Sequence, residues 1–276
     1  MIRLVSGVIL AVAALAAVLF LPIVALRVLA VAVAGLAAHE FMRIAEATSH
    51  AQASHTPIPG GFNKGVTDAL RQWAGVALTI ALAAVIAWQL SIPTAVLLLV
   101  GLGWLAADVL FLGTSIRDAG AAIIAPIYTG APLGMLAVTH AAHGWRATLM
   151  LIATVIVSDS SQYYTGRSLG RRPLAPTISP KKTMEGAVGG LVCGTLFATL
   201  VGTRLFPDAS IIGLVLLGVA IVVLGICGDL FESRLKRAAA MKDSSSLIPG
   251  HGGVLDRIDA LLFTAPAFYV YLQVVQ

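Results

Sequence analysis

The chain has 276 residues, of which 58% are hydrophobic and only 11% charged, with a formal net charge of +5 and a mean hydropathy of +0.93. A water-soluble domain carries about 25% charged residues to cover its surface, so a soluble globule is excluded. Runs without Asp, Glu, Lys or Arg cover 4–26, 72–107, 119–145, 186–203, 209–228 and 260–276. They are long enough for helical spans of ~20 residues and lack the alternation of an outer-membrane barrel. The predicted class is an all-α, polytopic transmembrane helical bundle.

Nine spans are predicted in chain order: about 4–21, 23–40, 72–90, 93–112, 120–138, 146–165, 185–205, 210–231 and 258–275. Arg3 ahead of the first apolar stretch is compatible with a cleaved leader, but the next span follows at once and favours a retained helix. The run 72–107 is divided near Ser91-Ile92-Pro93. Polar connections are expected at 41–71, 113–119, 166–184 and 232–257, with short turns near Pro22, Pro93, His140 to Gly144 and Pro207-Asp208. Residues 48–65, rich in Ser, His, Pro and Gly, read as a loop. The chain is treated as one integral-membrane domain over 1–276, with N-terminal spans to about 140 and catalytic spans and loops from about 141.

Basic residues orient the bundle. On nine spans, 15 of the 18 Lys and Arg fall on the side of the N-terminus and 3 (Arg27, Arg146, Arg204) on the other. The basic-rich side is expected to be cytoplasmic.

Two connections on that side carry clustered chemistry. One runs from Ser158-Asp159 through Gly166-Arg167 to Ser179-Pro180-Lys181-Lys182-Thr183-Met184-Glu185-Gly186. The other runs from Gly228-Asp229 through Glu232, Ser233, Lys236, Arg237, Lys242 and Asp243 to Gly250-His251-Gly252-Gly253, Asp256, Arg257 and Asp259. Asp229 ends an apolar run of nearly a full span, and an ionisable group at membrane depth is a functional candidate by default. Glu232, Ser233, Lys236 and Arg237 follow it at spacings of three, four, seven and eight and share its broad helical face. Asp256 and Asp259 open the last helix on one face. Carboxylates at adjoining helix ends can converge on Mg²⁺, which takes one or two of them together with substrate phosphates. The three glycines before that helix leave room for a ligand and expose N–H donors. Acids beside bases suit a metal–polyphosphate ligand; a cation channel has no use for the bases, and an anion site none for the acids.

Plainer readings apply to single residues. Arg171, Arg172 and Lys181 can merely follow the positive-inside rule. Asp159 and Asp229 can be interfacial caps, and His251 a turn residue. His39, His50, His55, His140 and His143 read as structural or solvated. Cys193 and Cys227 read as small packing residues, and Gly189-Gly190 as a helix-packing pair. There is no Walker loop and no HExxH motif.

The 27 consecutive residues from Ser233 to Asp259 resemble the signature of the phosphatidate cytidylyltransferases, also called CDP-diacylglycerol synthases. The block Leu174 to Gly190, the nine-span layout and His39-Glu40-Phe41 are similar to the same family. The resemblance is strongest over about 158–276. Gln162-Tyr163 and Met184 depart from its pattern, and the 41–71 connection has no counterpart in it. It implies transfer of the cytidylyl group of CTP to phosphatidic acid, giving CDP-diacylglycerol and pyrophosphate in phospholipid biosynthesis. It implies Mg²⁺, with a monovalent cation such as K⁺ beside it. The family's metal-binding acids fall on Asp229 and Asp256. Its substrate contacts fall on Ser179, Lys182, Lys236, Arg237, Lys242 and Arg257. Asp243 and Asp159 are further candidates for metal, water or lysine orientation, and His251 for substrate binding. A homodimer in the inner membrane, with the site facing the cytoplasm and no nucleic-acid partner, is expected. The rival readings are another CTP-using lipid enzyme, an anion transporter, an alcohol phosphotransferase that consumes CDP-diacylglycerol, and an inactive lipid-binding scaffold.

Overall fold

The computed structural model describes residues 2–53, 64–90 and 116–275. The helices are α1 (Ile2–Phe20), α2 (Ile23–Ala53), α3 (Lys64–Ala87), α4 (Ile116–Ala125), α5 (Ala131–Leu169), α6 (Met184–Leu205), α7 (Ile211–Ala238) and α8 (Leu255–Val275), with a π-helical turn at Pro126–Gly130. Leu, Val and Ala dominate them, and the helix satisfies backbone groups within one segment, as hydrocarbon demands. Five stretches are long and apolar enough to cross a bilayer among the described residues: 23–49, 66–87, 120–169, 184–205 and 211–238. Residues 7–20 form a shorter apolar helix. The chain is thus an all-α, multi-pass membrane protein. The span expected at 93–112 lies outside the described residues, and α8, where the last span is expected, is not among the five.

Three expectations change. The polar connection at 41–71 is helical at both ends: α2 continues to Ala53 and α3 starts at Lys64. Residues 41–53 are polar but made largely of good helix formers, and the Thr48 and Ser49 hydroxyls donate back to the carbonyls of Ile44 and Ala45, at 2.8 and 3.2 Å. The turn expected at 140–144 appears instead as a break inside α5 at Gly144, φ +74° and ψ −179°, a conformation suited to glycine. The loop after α5 holds a two-stranded antiparallel hairpin, β1 (Pro173–Ala175) and β2 (Ser179–Thr183), pairing Pro173 with Thr183 and Ala175 with Ser179. Its three prolines, Pro173, Pro176 and Pro180, oppose helix there.

The chain forms two compact units, one of 1–138 with 235–257 and one of 139–234 with 258–276. In the first, α2, α3, α4 and the π-turn pack together. Phe41 meets Tyr128 edge to face at 5.4 Å. Gly75 brings α3 against α2 and α4, where an added Cβ would lie 3.0 Å from Met42 Sδ and 3.3 Å from Ala122 Cα.

In the second unit small residues let the helices touch. Gly186, Gly190, Gly194, Ala198 and Gly202 form the buried face of α6, while Val188, Val192, Leu196 and Leu200 face outward, the arrangement of a lipid-facing helix. Gly189-Gly190 is therefore a packing pair: a Cβ at Gly190 would collide with the Gln162 side chain and lie 3.0 Å from the Ser158 carbonyl. Gly228 has the same use between α7 and α8, where a Cβ would lie 2.5 Å from the Asp259 carbonyl. Cys193 and Cys227 are not packing residues; both thiols are free and exposed on the bare chain, on helices apolar enough to cross a bilayer.

Candidate active-site residues

In the second unit, Asp159, Lys182 and Asp229 come together. Asp229 lies inside α7, nine residues before its end, and Asp159 inside α5, so neither is a helix cap. Lys182 Nζ lies 2.5 Å from Asp229 Oδ2, and Ser233 Oγ donates to Asp229 Oδ1 at 3.3 Å. The Asp159 carboxylate accepts from Gln162 Nε2 at 3.1 Å and interacts electrostatically with both Lys182 and Asp229. Lys182 is thus ion-paired with Asp229, and Asp159 lies within electrostatic reach of both. The pair is partly open, with side chains 22% (Lys182) and 36% (Asp229) exposed.

Local structure aims Lys182. Thr183 is the N-cap of α6, its Oγ1 accepting from Gly186 N at 3.1 Å. Glu185, in the first turn, accepts from the backbone N–H groups of Arg171 and Arg172 at 3.0 and 3.2 Å. Met184 N donates to the Arg172 carbonyl at 2.9 Å. The hairpin with Lys182 is therefore fastened at its base to α6. Ser179 begins β2. The side chains of Arg171, Arg172 and Lys181 are exposed.

In the first unit the group centres on Asp256, in the first turn of α8. Its Oδ1 is paired with Lys236 Nζ, a lysine 11% exposed against a carboxylate 5% exposed. Its Oδ2 accepts from Ser244 N and Ser244 Oγ, both at 2.9 Å, and from Gly253 N at 2.8 Å. Arg237 Nη1 donates to the Met241 carbonyl at 3.3 Å and closes the end of α7. Lys242 and Asp243 are exposed. Ile248 N donates to the Gly252 carbonyl at 2.8 Å and His251 N to the Ile248 carbonyl at 2.9 Å. This tight turn requires positive φ at Gly250 (+76°) and Gly252 (+81°), and it makes His251 a turn residue. Arg257 donates from Nε (3.0 Å) and Nη2 (2.7 Å) to the His251 carbonyl.

Glu40, absent from the residues that the sequence assigns to the site, joins this group. It is 3% exposed and accepts from Ser244 Oγ, Ser245 Oγ, Val254 N and Leu255 N. An acid deep in an apolar helix was the available signal.

No three His, Cys, Asp or Glu side chains gather into a ready metal cluster among the described residues. The acids nonetheless fit Mg²⁺, which takes few protein carboxylates and completes its shell with phosphates and water. The Asp229 carboxylate already pairs with one cation, the Lys182 ammonium.

A sequence model of the cytidylyltransferase family matches residues 1–275. The phosphatidate cytidylyltransferase of Haemophilus influenzae is 45% identical over 134 residues, 47% of this chain and 46% of that protein. That of Bacillus subtilis is 38% identical over 157 residues, 56% of this chain and 58% of that protein. The Escherichia coli (strain K12) "Uncharacterized protein YnbB" is 42% identical over 139 residues, 50% of this chain and 46% of that protein. The chain spans about half the length of these curated relatives. With the family match running over nearly all its residues, the chain belongs to the cytidylyltransferase family.

Proposed function

We propose that the protein transfers the cytidylyl group of CTP to phosphatidic acid, giving CDP-diacylglycerol and pyrophosphate, at the cytoplasmic face of the inner membrane. The observation that carries this is that each motif acid is matched with a motif lysine: Asp229 with Lys182 and Asp256 with Lys236. The relatives' names point the same way.

A phosphatidate oxygen attacks the α-phosphorus of CTP, the P–O bond to the β-phosphate breaks, and pyrophosphate leaves with that bond's electrons. The nucleophile is already anionic, because a phosphomonoester has a second pKa of about 6, so no strong general base is needed. Asp229 and Asp256 would hold Mg²⁺, which when bound supplies charge neutralisation on the triphosphate. The chain's own task is alignment and screening of two mutually repelling anions. Lys182 and Lys236 exchange a carboxylate partner for a phosphate. Ser179, Arg237, Lys242, His251 and Arg257 belong to the substrate-binding surface in this reading, and Asp159 and Asp243 orient lysine or water. K⁺ beside Mg²⁺ and a homodimer are part of the same reading.

The test is pyrophosphate release from CTP by purified protein in detergent, with and without phosphatidate. Release that needs both the lipid and Mg²⁺, and falls sharply in Asp229→Asn and Asp256→Asn proteins that remain folded, supports the reading. Product formation from a different lipid in a panel, or none from phosphatidate, overturns it. Wild-type turnover in either variant removes that acid from the metal.

A further inference from the structure

Glu40 lies on α2, inside a stretch apolar enough to cross the bilayer. Its carboxylate collects donors from residues 204 to 215 positions further along the chain. Oε1 accepts from Ser245 Oγ at 2.7 Å and Val254 N at 3.0 Å. Oε2 accepts from Ser244 Oγ and Leu255 N, both at 2.8 Å. The two backbone donors open α8, where N–H groups lack intrahelical acceptors and a negative charge is favoured. Ser244 Oγ also lies 2.9 Å from Asp256 Oδ2, so one hydroxyl joins the two carboxylates. That hydroxyl has a single proton and serves one of them at a time. The Ser244 and Gly253 N–H groups hold Asp256 Oδ2 in either case. Gly253 leaves space for this junction: a Cβ there would collide with Ser244 Oγ and with the Glu40 carboxylate.

We propose that Glu40 is a positioning residue for the reaction: it fastens the 244–255 segment to α2 and, through Ser244, fixes the orientation of Asp256 and of its partner Lys236 toward the metal and triphosphate. This rests on the cytidylyltransferase reading above. A neutral amide cannot replace the carboxylate. Glu40 meets four donors with two acceptor oxygens, and either orientation of a glutamine sets an NH₂ against a backbone N–H of Val254 or Leu255.

The experiment uses the full-length protein in detergent with Glu40→Gln, Ser244→Ala and Ser245→Ala. Three quantities are read: amide hydrogen exchange over 244–255 without substrates, the rise in melting temperature caused by Mg²⁺ alone, and the Mg²⁺ concentration giving half-maximal turnover. Outer partners of a metal ligand are worth about 10–100-fold in metal affinity or activity. Glu40→Gln is expected to speed exchange at Val254 and Leu255, shrink the Mg²⁺-induced rise and increase the Mg²⁺ requirement about 10-fold or more. Ser244→Ala, which leaves three of the four Glu40 bonds, also increases the Mg²⁺ requirement. Ser245→Ala, which does not touch Asp256, leaves it unchanged. A Glu40→Gln protein with wild-type exchange overturns the proposal. So does faster exchange with an unchanged Mg²⁺ requirement, or equal effects of the two serine variants, which mark a purely structural cap. If wild-type protein does not join CTP to phosphatidate, the functional reading fails by itself. Exchange and the Mg²⁺-induced rise then decide the role of Glu40, and a wild-type protein without such a rise counts against it.

Discussion

Lys182 on the β-hairpin meets Asp229 inside α7, with Nζ 2.5 Å from Oδ2. One ion pair therefore joins an extended segment to a membrane helix, and Asp159 lies near enough to interact with both charges. The pair is partly exposed, so its contribution to folding is small, and in the proposed reading Lys182 exchanges Asp229 for a substrate phosphate.

Lys182→Ala is expected to separate those two quantities. Partly exposed ion pairs contribute about 0–1 kcal/mol to stability, so the melting temperature in detergent changes little. Loss of a preorganised cation at developing charge costs about 10²–10³-fold in kcat. A variant that melts much earlier, or turns over at the wild-type rate, contradicts this assignment.

The Lys236–Asp256 pair should behave in the opposite way. Its side chains are only 11% and 5% exposed, and leaving one member of a buried pair alone costs about 3–5 kcal/mol. Lys236→Met and Asp256→Asn should each lower stability strongly, and the double variant should lose less than the sum of the two. Denaturant or thermal unfolding of the four proteins gives the coupling. Strict additivity would mean that the two groups do not interact in solution.

Two glycine replacements compare a tightly packed position in the 244–255 segment with an open one in α4. Gly253→Ala drives a methyl into Ser244 Oγ and Glu40, and overpacking of this kind costs about 1–3 kcal/mol. At Gly120, in α4, an added Cβ meets nothing within 4 Å. Gly120→Ala should be neutral or gain up to about 1 kcal/mol from helix propensity. Melting temperatures of both proteins, compared with the wild type, decide the point.

The exposed thiols test the membrane reading. Cys193 and Cys227 sit on α6 and α7, both apolar enough to span. A large water-soluble maleimide should fail to modify them in intact membrane vesicles and succeed after solubilisation in SDS. Rapid labelling in the vesicles would place these faces in water.

Membrane residence, the helical class and the two chemical stretches were legible in the sequence because each depends on local composition and spacing. Runs free of charge report lipid exposure directly, and the Gly189-Gly190 pair announces a close-packed position on α6. The end of α2 is not legible in the same way, because its polarity resembles that of a loop, whereas Ala, Met, Arg and Glu at 41–53 sustain a helix. The small hairpin escaped notice because strands of three and five residues leave little periodic signal.

By itself the sequence determined that this chain lives in a bilayer and carries acids and bases suited to a metal–polyphosphate ligand, since charge density and motif spacing are properties of the chain as written. Tertiary structure alone decided the partnerships. Helical spacing placed Lys236 on the face of Asp229, yet it pairs with Asp256, and Asp229 takes Lys182 from the hairpin. Glu40 became part of the candidate site because packing brings it to residues more than 200 positions away. Contacts across such separations depend on how helices pack in three dimensions, and no local pattern encodes them.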